Sequence, residues 1–477
     1  MTRNPRQERP AATVMKTETV PSSFRDPGGF LFYREETLLR QVNHRCRADY
    51  DQLMQSGLYE ALVEDGLLIP HQEVDLAEAY SDDACRVLKP TLVPCISYPY
   101  EWSFSQLKDA ALITLKIQQR ALEFGMSLKD ASAYNIQFLD GKAIFIDTLS
   151  FEPYRENQPW VAYRQFCQHF LAPLALMCYR DIRLGQLLRT NIDGIPLDLA
   201  STLLPLRTRF RFSLLTHLHL HARSQRRYAN AAVDSSRTLK KVNVSLNGLK
   251  AIIDSLVSAI RSLQWKSGDT EWGDYYNATN YDSESMQHKK ELVSAFLDQI
   301  SPAPTLVQDL GANTGVFSRI AADKGMNVLS QDIDPKAVEI NYQLTKRNRE
   351  HNILPMLVDL TNPSPALGWA HSERMSLMQR GPVDVVMALA LIHHLAISNH
   401  VPLPDLARFF SRMGQYLLIE FVPRTDSQVR RLLATREDVF EDYTQSHFEN
   451  AFAHHFEQVQ SQQIRGSERT LYLLRKR

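Results

Sequence analysis

Apolar residues in the last third of the chain fall into five short runs, which alternate with stretches of helical spacing. The runs occupy residues 305–309, 326–332, 353–359, 383–389 and 415–421. The clearest helical stretches are residues 316–325, 335–350 and 402–413. Strands and helices that alternate at this spacing are typical of a parallel α/β sheet. Two further strand-like runs, residues 456–464 and 469–476, predict an antiparallel ending.

The first half of the chain has a less regular pattern, which predicts an α+β arrangement. A hairpin is predicted at residues 26–43, helices at 48–68 and 103–126, and two strands at 135–153 around the turn Asp140-Gly141. Residues 160–220 are rich in apolar and aromatic positions and are predicted to be largely helical.

These patterns divide the chain into four predicted parts. They are a disordered tail at residues 1–20, an α+β domain with a helical C-terminal part at 21–220, a basic linker or helix at 221–260, and an α/β domain at 261–477. Residues 207–241 hold nine Lys or Arg residues and one acid, Asp234. This basic segment indicates either a solvated surface or a docking site for an anionic partner.

Composition adds few constraints to this division. Lys plus Arg and Asp plus Glu both total 54, so the overall charge does not favour nucleic acid or an anionic membrane as a partner. The five cysteines form no C-x-x-C pair, which suits a reducing compartment. No run approaches the roughly 20 apolar residues that span a bilayer, and the first residues lack the apolar core of a secretory signal. We therefore expect a cytoplasmic protein.

The sharpest motif is "DLGANTG", residues 309–315, between the first predicted strand and the first predicted helix of the α/β domain. Gly311 and Gly315 permit a tight turn and close approach of a ligand to the backbone. The helix that follows offers unpaired N–H groups at its start. A dinucleotide-binding turn would have the pattern G-x-G-x-x-G, but Asn313 occupies its middle place.

Three carboxylates close three successive predicted strands of this domain. Asp309 ends the first strand, Asp332 ends the second, and Asp359 ends the third. Carboxyl ends of parallel strands share one edge of a sheet, where ligands collect. An acid about 20 residues beyond the glycine turn is placed to accept hydrogen bonds from ribose hydroxyls.

This combination resembles the class I S-adenosylmethionine-dependent methyltransferases over roughly residues 264–477. The resemblance implies a Rossmann-like, mostly parallel sheet with an antiparallel last strand. It also implies that Asp309 and the turn with Gly311, Asn313 and Gly315 meet the methionine end. Asp332 would then bind the ribose and Asp359 would flank the adenine. In "VDVVMALALIHHL", which is similar to the family's fourth motif, Leu389 is a further cofactor contact. A sheet whose turns merely carry Gly and Asp remains the alternative.

Candidate catalytic residues follow the fourth and fifth predicted strands. His393 and His394 are candidates for a general base or for orienting the acceptor, with packing as the alternative role. Glu420 is a candidate base or a structural carboxylate. The aromatic residues at 272–276 and Tyr281 are candidates for covering the cofactor or acceptor, or for a place in the core. The N-P-P-Y motif of amino-methyltransferases is absent, which favours small-molecule, glycan or lipid acceptors over nucleic acid.

A second constellation lies upstream in "LKDASAYNIQFLDGKAIFIDTLSFE". Asp130, Asn135 and Asp147 resemble the catalytic loop and metal-binding acid of the protein-kinase-like fold. The resemblance implies that Asp130 takes a hydroxyl proton, while Asn135 and Asp147 hold magnesium beside ATP. The motif departs from that family before Asp130 and after Asp147, and Arg40 is the nearest substitute for the strand lysine.

Three functional hypotheses follow from these motifs. The first is a methyltransferase whose N-terminal, kinase-like domain recognises the acceptor. The second is a bifunctional kinase–methyltransferase, because the pairing of the two predicted domains is similar to that of enzymes that phosphorylate and then methylate glycan ends. With the strings "SYPYEWSF" and "DASAYNIQF", the whole chain also resembles nodulation-protein-like bacterial methyltransferases, a likeness that fixes no substrate. The third is a scaffold that binds cofactor or nucleotide without turnover. The sequence does not identify the acceptor or the oligomeric state.

Overall fold

The computed structural model describes residues 17–221, 243–266, 283–434 and 439–477. Within these ranges the chain forms two large sheets, one in each half, and two short hairpin-like pairs of strands. The mixed α/β organisation predicted from the pattern is confirmed. The identification of the first half as kinase-like, and the domain boundaries, stay predictions.

The sheet of the first half has five strands in the order β1-β2-β3-β5-β4, and all neighbours are antiparallel. The strands are β1 Thr17–Thr19, β2 Gly29–Arg34, β3 Thr37–Asn43, β4 His71–Val74 and β5 Ala84–Pro90. The predicted hairpin is confirmed as β2 and β3. The predicted disordered tail extends too far, because Thr17–Thr19 pairs with Phe32, Tyr33 and Arg34 of the hairpin. Residues 1–16 lie outside the described residues.

Helices and four short strands complete the first half. The helices are α1 Arg47–Gln55, α2 Leu58–Glu64, α3 Phe104–Glu123, α4 Tyr163–Phe166, α5 Ala172–Tyr179, α6 Leu187–Thr190, α7 Leu197–Leu203 and α8 Phe212–Leu214. The strands are β6 Met126–Leu128, β7 Ile136–Leu139, β8 Lys142–Phe145 and β9 Phe151–Pro153. Helix α3 is the central element. It starts at a capping box formed by Ser103 and Gln106, and it buries apolar residues at helical spacing along most of its length.

Part of the segment predicted as a basic linker or helix, residues 221–260, lies within the described residues and is helical. Residues 246–262 form helix α9 (Leu246–Ser262), and it packs against α3. Its buried face carries Leu249, Ile253 and Leu256, which belong to the same apolar core as α3. Because this apolar face is buried against α3, the helix is part of the core of the first half. Residues 222–242 lie outside the described residues.

The sheet of the second half has seven strands in the order β12-β11-β10-β13-β14-β16-β15. They are β10 Leu306–Leu310, β11 Asn327–Asp332, β12 Ile353–Leu357, β13 Val383–Ala388, β14 Gly414–Phe421, β15 Phe456–Gln463 and β16 Thr470–Lys476. Strands β10 to β14 pair in parallel, whereas β16 is antiparallel to both of its neighbours. The predicted parallel sheet with an antiparallel ending is therefore confirmed.

Helices cover this sheet as the pattern predicts. They are α10 Ser283–Asp298, α11 Val316–Ala322, α12 Pro335–Asn348, α13 Leu403–Met413, α14 Ser427–Leu433 and α15 Gln445–Ala453. Helix α13 shows why they pack there. Its residues Leu403, Leu406, Ala407 and Phe410 recur at helical spacing and are buried against the sheet, while charged residues occupy the other face.

The two halves meet through a buried ion pair. Arg380, which precedes β13, donates to both carboxylate oxygens of Glu101 in the first half, at 2.8 Å through Nη1 to Oε2. The side chains are 6% and 4% exposed. Ser364 Oγ donates to the same carboxylate at 3.1 Å, and the ring of Tyr98 lies 5.0 Å from the guanidinium carbon. The pair is thus enclosed by groups from both halves.

Helices α3 and α12 form a second contact between the halves. Tyr342 donates its hydroxyl to Asp109 at 2.7 Å, and Gln106 donates to the backbone carbonyl of Pro355 at 3.0 Å. The N–H of Ser105 donates to Glu339 at 3.0 Å. Together with the buried ion pair, these bonds fix the first half against the helix that follows β11.

We expect Glu101→Gln to lower the free energy of unfolding by about 3 kcal/mol, because it leaves the Arg380 charge buried without its counterion. Urea denaturation followed by circular dichroism measures this change. The matched control is Glu123→Gln, since Glu123 pairs with Arg120 at a surface where the side chains are 53% and 36% exposed. The control should change stability by less than about 0.5 kcal/mol. Equal effects of the two substitutions would contradict the interpretation.

Candidate functional site

The predicted glycine turn lies at the carboxyl edge of the seven-stranded sheet. Gly311, Asn313 and Gly315 have φ values of 72°, 50° and 79°, which place all three in the left-handed region. A Cβ at Gly315 would lie 2.6 Å from the side-chain oxygen of Asn341, so only glycine fits there. Arg319 braces the turn by donating to the carbonyls of Thr314 and Gly315 at 2.8 and 2.9 Å.

Asp332 ends β11 beside this turn and holds it directly. The N–H of Asn313 donates to Asp332 Oδ2 at 2.8 Å, and the N–H of Asp334 donates to Oδ1 at 2.8 Å. Burial raises the pKa of Asp332 to about 6, although both of these backbone hydrogen bonds act in the opposite direction. Each carboxylate oxygen has a second lone pair, so Asp332 retains the capacity to accept hydrogen bonds from a ligand.

Asp309 lies beneath the turn rather than on its open side. It is 1% exposed, and it accepts a hydrogen bond of 2.6 Å from Ser318, whose oxygen also lies 2.8 Å from that of Ser330. Burial raises the pKa of Asp309 to about 7, and the charge of Asp332 acts in the same direction. The hydrogen bond from Ser318 and the charge of Lys289 oppose this shift. The two acids therefore interact electrostatically.

Asp359 and Ile333 complete the edge next to Asp332. The N–H of Val358 donates to the backbone carbonyl of Asp332 at 2.9 Å, which brings the third strand end alongside the second. Asp359 caps its own turn by accepting from the N–H and hydroxyl of Thr361 at 2.8 and 2.7 Å. Ile333, which sequence reasoning missed, is 55% exposed between two carboxylates. Its apolar surface is available to a flat ring.

Among the described residues, one small cleft between the halves borders this edge, and a larger one lies elsewhere between them. The lining of the small cleft includes Tyr100 and Gln186 from the first half, and Pro335 and Leu357 from the strand ends. The larger cleft lies between the β7–β8 hairpin and the amino ends of β10, β11 and β12. Because ligands of parallel sheets bind at the carboxyl edge, we assign the candidate cofactor site to the glycine turn and the neighbouring strand ends, with the smaller cleft beside them.

The predicted histidines follow β13 on the same edge. Leu389 is buried beside the turn's strand, and His393 is 2% exposed with no hydrogen-bond partner for its Nδ1 atom among the described residues. Burial lowers the pKa of His393 well below its usual value, and the neighbouring His394, Arg469 and Lys289 lower it further. Burial also lowers the pKa of His394 to about 4. The ring centroids of the two histidines are 4.1 Å apart. Because burial lowers both pKa values, the neutral form of each imidazole is favoured near pH 7.

Glu420 is held by two buried cations that sequence reasoning missed. Lys289 Nζ lies 2.5 Å from one carboxylate oxygen, and Arg469 Nη1 lies 3.3 Å from the other. Arg469 also pairs with Asp426 at 2.8 Å, and Lys289 Nζ lies 4.6 Å from the centroid of the Phe317 ring. Because its oxygens are already engaged, this geometry favours the structural role of Glu420 over that of a base. Nothing in the local sequence distinguishes Lys289 from the more exposed Lys290.

The second predicted constellation also comes together, in the first half of the chain. Asp130 accepts hydrogen bonds from Gln165 at 2.8 Å and from the side chain of Asn135. Asn135 donates to Ser150 at 3.3 Å, and Ser150 donates to Asp147. Burial raises the pKa of Asp130, and the charge of Asp147 raises it further. These residues therefore form one hydrogen-bonded cluster.

Arg40, the predicted substitute for the strand lysine, pairs with Asp147 at 2.7 Å. The two side chains are 13% and 16% exposed, so the pair is largely shielded from solvent. No group of three or more His, Cys, Asp or Glu side chains within the described ranges is arranged to hold a metal ion. Asn135 and Asp147 thus lie together, but an arginine occupies one face of the acid.

One further prediction concerns an aromatic cluster, and a separate pair of histidines lies in the first half. The aromatic residues at 272–276 and Tyr281 lie outside the described residues. His217 and His219 are buried in a π-helical turn, Leu215–Leu220, where they bond to hydroxyl groups such as those of Tyr163 and Thr208. In the part of the chain that the structure describes, no helix is long and apolar enough to cross a membrane.

Comparison with known proteins identifies the family. No protein-family model matches the sequence. The chain is 35% identical over 466 residues to nodulation protein NoeA of Rhizobium meliloti (strain 1021), and the match covers 97% of each chain. The chain belongs to the NoeA family. The predicted resemblance to nodulation-protein-like bacterial proteins is thereby confirmed over nearly the whole sequence.

Solved structures resemble parts of this NoeA-family chain only weakly. The bifunctional kinase–methyltransferase WbdD matches with 14% identity and a TM-score of 0.30 over 42% of each chain, so the chain spans less than half of WbdD. The N-methyltransferase NodS from Bradyrhizobium japonicum WM9 matches with 14% identity and a TM-score of 0.30, over 41% of this chain and 98% of NodS. Magnesium protoporphyrin IX methyltransferase from Synechocystis PCC 6803 matches with 18% identity and a TM-score of 0.30, over 44% of this chain and 90% of that enzyme. Scores at this level do not decide function.

Proposed function

We propose that this NoeA-family protein is a methyltransferase that moves a methyl group from S-adenosylmethionine to a small-molecule, glycan or lipid acceptor. The observation that carries the proposal is the meeting of the glycine turn with Asp332 at the carboxyl edge of the parallel sheet. The N–H of Asn313 bonds to Asp332 at 2.8 Å, so the turn and the acid form one continuous surface. Ligands of open parallel sheets bind at such an edge.

The residues at this edge fit a sulfonium nucleoside. Gly311 and Gly315 hold left-handed conformations that bend the backbone tightly at the strand end, which suits a ligand lying on the backbone. Asp332 has acceptor capacity for ribose hydroxyls, and Ile333 offers an exposed apolar face to a purine. Asp359 lies on the adjoining strand end, where an adenine would extend. Within this arrangement Asp309 acts from below the turn, by its charge rather than by contact.

The group that would bind here supplies an activated methyl on a sulfonium, so the protein's part is orientation and exclusion of water. Holding two reactants in line contributes roughly 7–11 kcal/mol to lowering a barrier. His393 Nδ1, buried and without a partner among the described residues, is a hydrogen-bond site that an acceptor hydroxyl or amine would satisfy. Because burial and the neighbouring cations hold the pKa of His393 well below its usual value, His393 is a weak base, and its part would be to orient the acceptor through a hydrogen bond at that atom.

The first half of the protein would form one wall of the acceptor site. Tyr100 and Gln186 line the cleft that borders Pro335 and Leu357 at the strand ends. Arg189 donates to the side-chain oxygen of Asn362 at 3.1 Å, just beyond Asp359. These contacts support the proposal that the N-terminal half recognises the acceptor beside the cofactor.

Asp332→Ala should weaken binding of S-adenosylmethionine by at least tenfold, because it removes the carboxylate proposed to bind ribose. Isothermal titration calorimetry measures the change. Asp323→Ala is the matched control, since Asp323 is exposed at the end of α11, and it should leave affinity unchanged. Unchanged affinity in a folded Asp332→Ala protein would remove the ribose assignment. Absence of any binding to the unmodified protein would remove the proposed function.

Affinity for S-adenosylmethionine should fall as the pH is lowered. Asp332 has a pKa of about 6 and Asp309 a pKa of about 7, so both take up protons between pH 8 and pH 5. Protonation of these carboxylates removes negative charge beside a cationic ligand. It also removes a lone pair that could accept a hydrogen bond from the ligand. If binding requires ionised Asp332, the affinity at pH 5 should be about tenfold lower than at pH 8. Calorimetry across this range checks it, and a flat profile would contradict the involvement of these acids.

A second candidate function is ATP-dependent phosphotransfer by the first half. The observation that favours it is the cluster in which Asp130, Asn135 and Asp147 are linked by hydrogen bonds. The pairing of Arg40 with Asp147 argues against phosphotransfer, because the arginine would have to release the acid before magnesium could bind.

Asp147→Asn should abolish binding of ATP–magnesium while binding of S-adenosylmethionine is retained, if this second activity exists. Calorimetry with both ligands separates the two sites in the same protein. Asp140→Asn is the matched control, because Asp140 occupies a turn with φ of 51° that asparagine tolerates. An unmodified protein that does not bind ATP–magnesium would exclude the second candidate.

A further inference from the structure

An exposed turn in the first half, residues 206–212, carries three large apolar side chains in contact with solvent. Leu206 is 70% exposed, Phe210 is 90% exposed and Phe212 is 78% exposed. Single exposed apolar residues are common on protein surfaces, but several on one turn mark an interaction site. The turn lies between α7 and α8, far along the chain from the candidate cofactor residues.

The exposed turn is held in place from beneath. Thr208, its one buried residue, donates its hydroxyl to the carbonyl of Pro205 at 2.7 Å. The same hydroxyl lies 2.9 Å from His219 Nε2, and His219 Nδ1 lies 2.8 Å from the hydroxyl of Ser201. The N–H of Arg211 donates to the carbonyl of Thr208 at 3.2 Å. The exposure of the phenylalanines is therefore imposed by a bonded turn rather than by a frayed end.

Positive charge surrounds these apolar side chains. Arg207, Arg209 and Arg211 alternate with them and are exposed, and none forms an ion pair within the described parts of the chain. The sequence contains no Asp or Glu between Asp198 and Asp234. The turn thus combines three uncompensated guanidinium groups with three apolar side chains over seven residues.

We propose that the exposed turn docks on an anionic membrane surface. Phe210, Phe212 and Leu206 would enter the boundary between headgroups and acyl chains, while the arginines contact lipid phosphates. This partner fits better than single-stranded nucleic acid, which binds in basic grooves that offer aromatic stacking platforms. Leu206 has no ring to stack, and the phenylalanines stand open to solvent. The inference is independent of the proposed methyl transfer.

Flotation with phosphatidylcholine vesicles, with and without phosphatidylglycerol, tests the proposal on the full chain. The unmodified protein should bind the anionic vesicles and not the neutral ones. Phe210→Ser with Phe212→Ser should weaken binding more than tenfold, because burial of each ring is lost. Replacing Arg207, Arg209 and Arg211 by Gln should also weaken binding more than tenfold, at about fivefold for each charge.

Matched controls separate this turn from general surface effects. Val161→Ser removes another exposed apolar side chain, which is 62% exposed, and Arg408→Gln removes an exposed cation of the second half. Both controls should bind vesicles as the unmodified protein does. Undiminished vesicle binding by the double Phe variant or by the triple Arg variant would overturn the proposal. So would a failure to bind anionic vesicles, or tighter binding to a single-stranded oligonucleotide that is weakened by the same substitutions.

Discussion

The hydrogen bond from the Asn313 N–H to Asp332 is the interaction on which the candidate site depends. It joins the end of β10 to the end of β11, and parallel pairing makes this contact possible because both strands finish at the same edge. Asn313 adopts a left-handed conformation, with a left-handed glycine two residues away on either side. A carboxylate without these N–H donors would be buried at greater cost, so the turn and the acid stabilise one another.

Buried charge recurs in this protein, and each instance joins segments that are distant in the sequence. Glu420 is held between Lys289 of α10 and Arg469 at the start of the last hairpin strand. Glu101 meets Arg380 across the boundary between the halves. Buried ion pairs add little stability relative to apolar packing, but they penalise any arrangement that separates the partners. Here the Glu101–Arg380 pair favours one placement of the first half against the second.

This placement joins the first half to the segment that follows the candidate cofactor edge. The insertion between β12 and β13 begins at Asp359 in the candidate cofactor edge and contains Arg380, which binds the first half. A ligand that orders the edge would therefore act on a segment that both halves share. The Arg40–Asp147 pair, by contrast, lies within the first half and shields the second cluster. The geometry is more complete for a nucleoside at the sheet edge than for magnesium in the first half.

The sequence by itself determined the local elements and the residues at strand ends. Hydrophobic periods of two and 3.6 residues predict strands and helices, and the glycines of "DLGANTG" predict a tight turn. The acid after each of three strands predicts that the three acids share one edge of the sheet. The tertiary structure alone decided which distant side chains meet. Lys289 is buried against Glu420 while Lys290 is not, Asp309 points beneath the turn, and Thr17–Thr19 becomes a strand by pairing with the hairpin. Such contacts depend on packing between segments that are far apart in the chain. A local pattern of residues does not show which distant segment will pack against it.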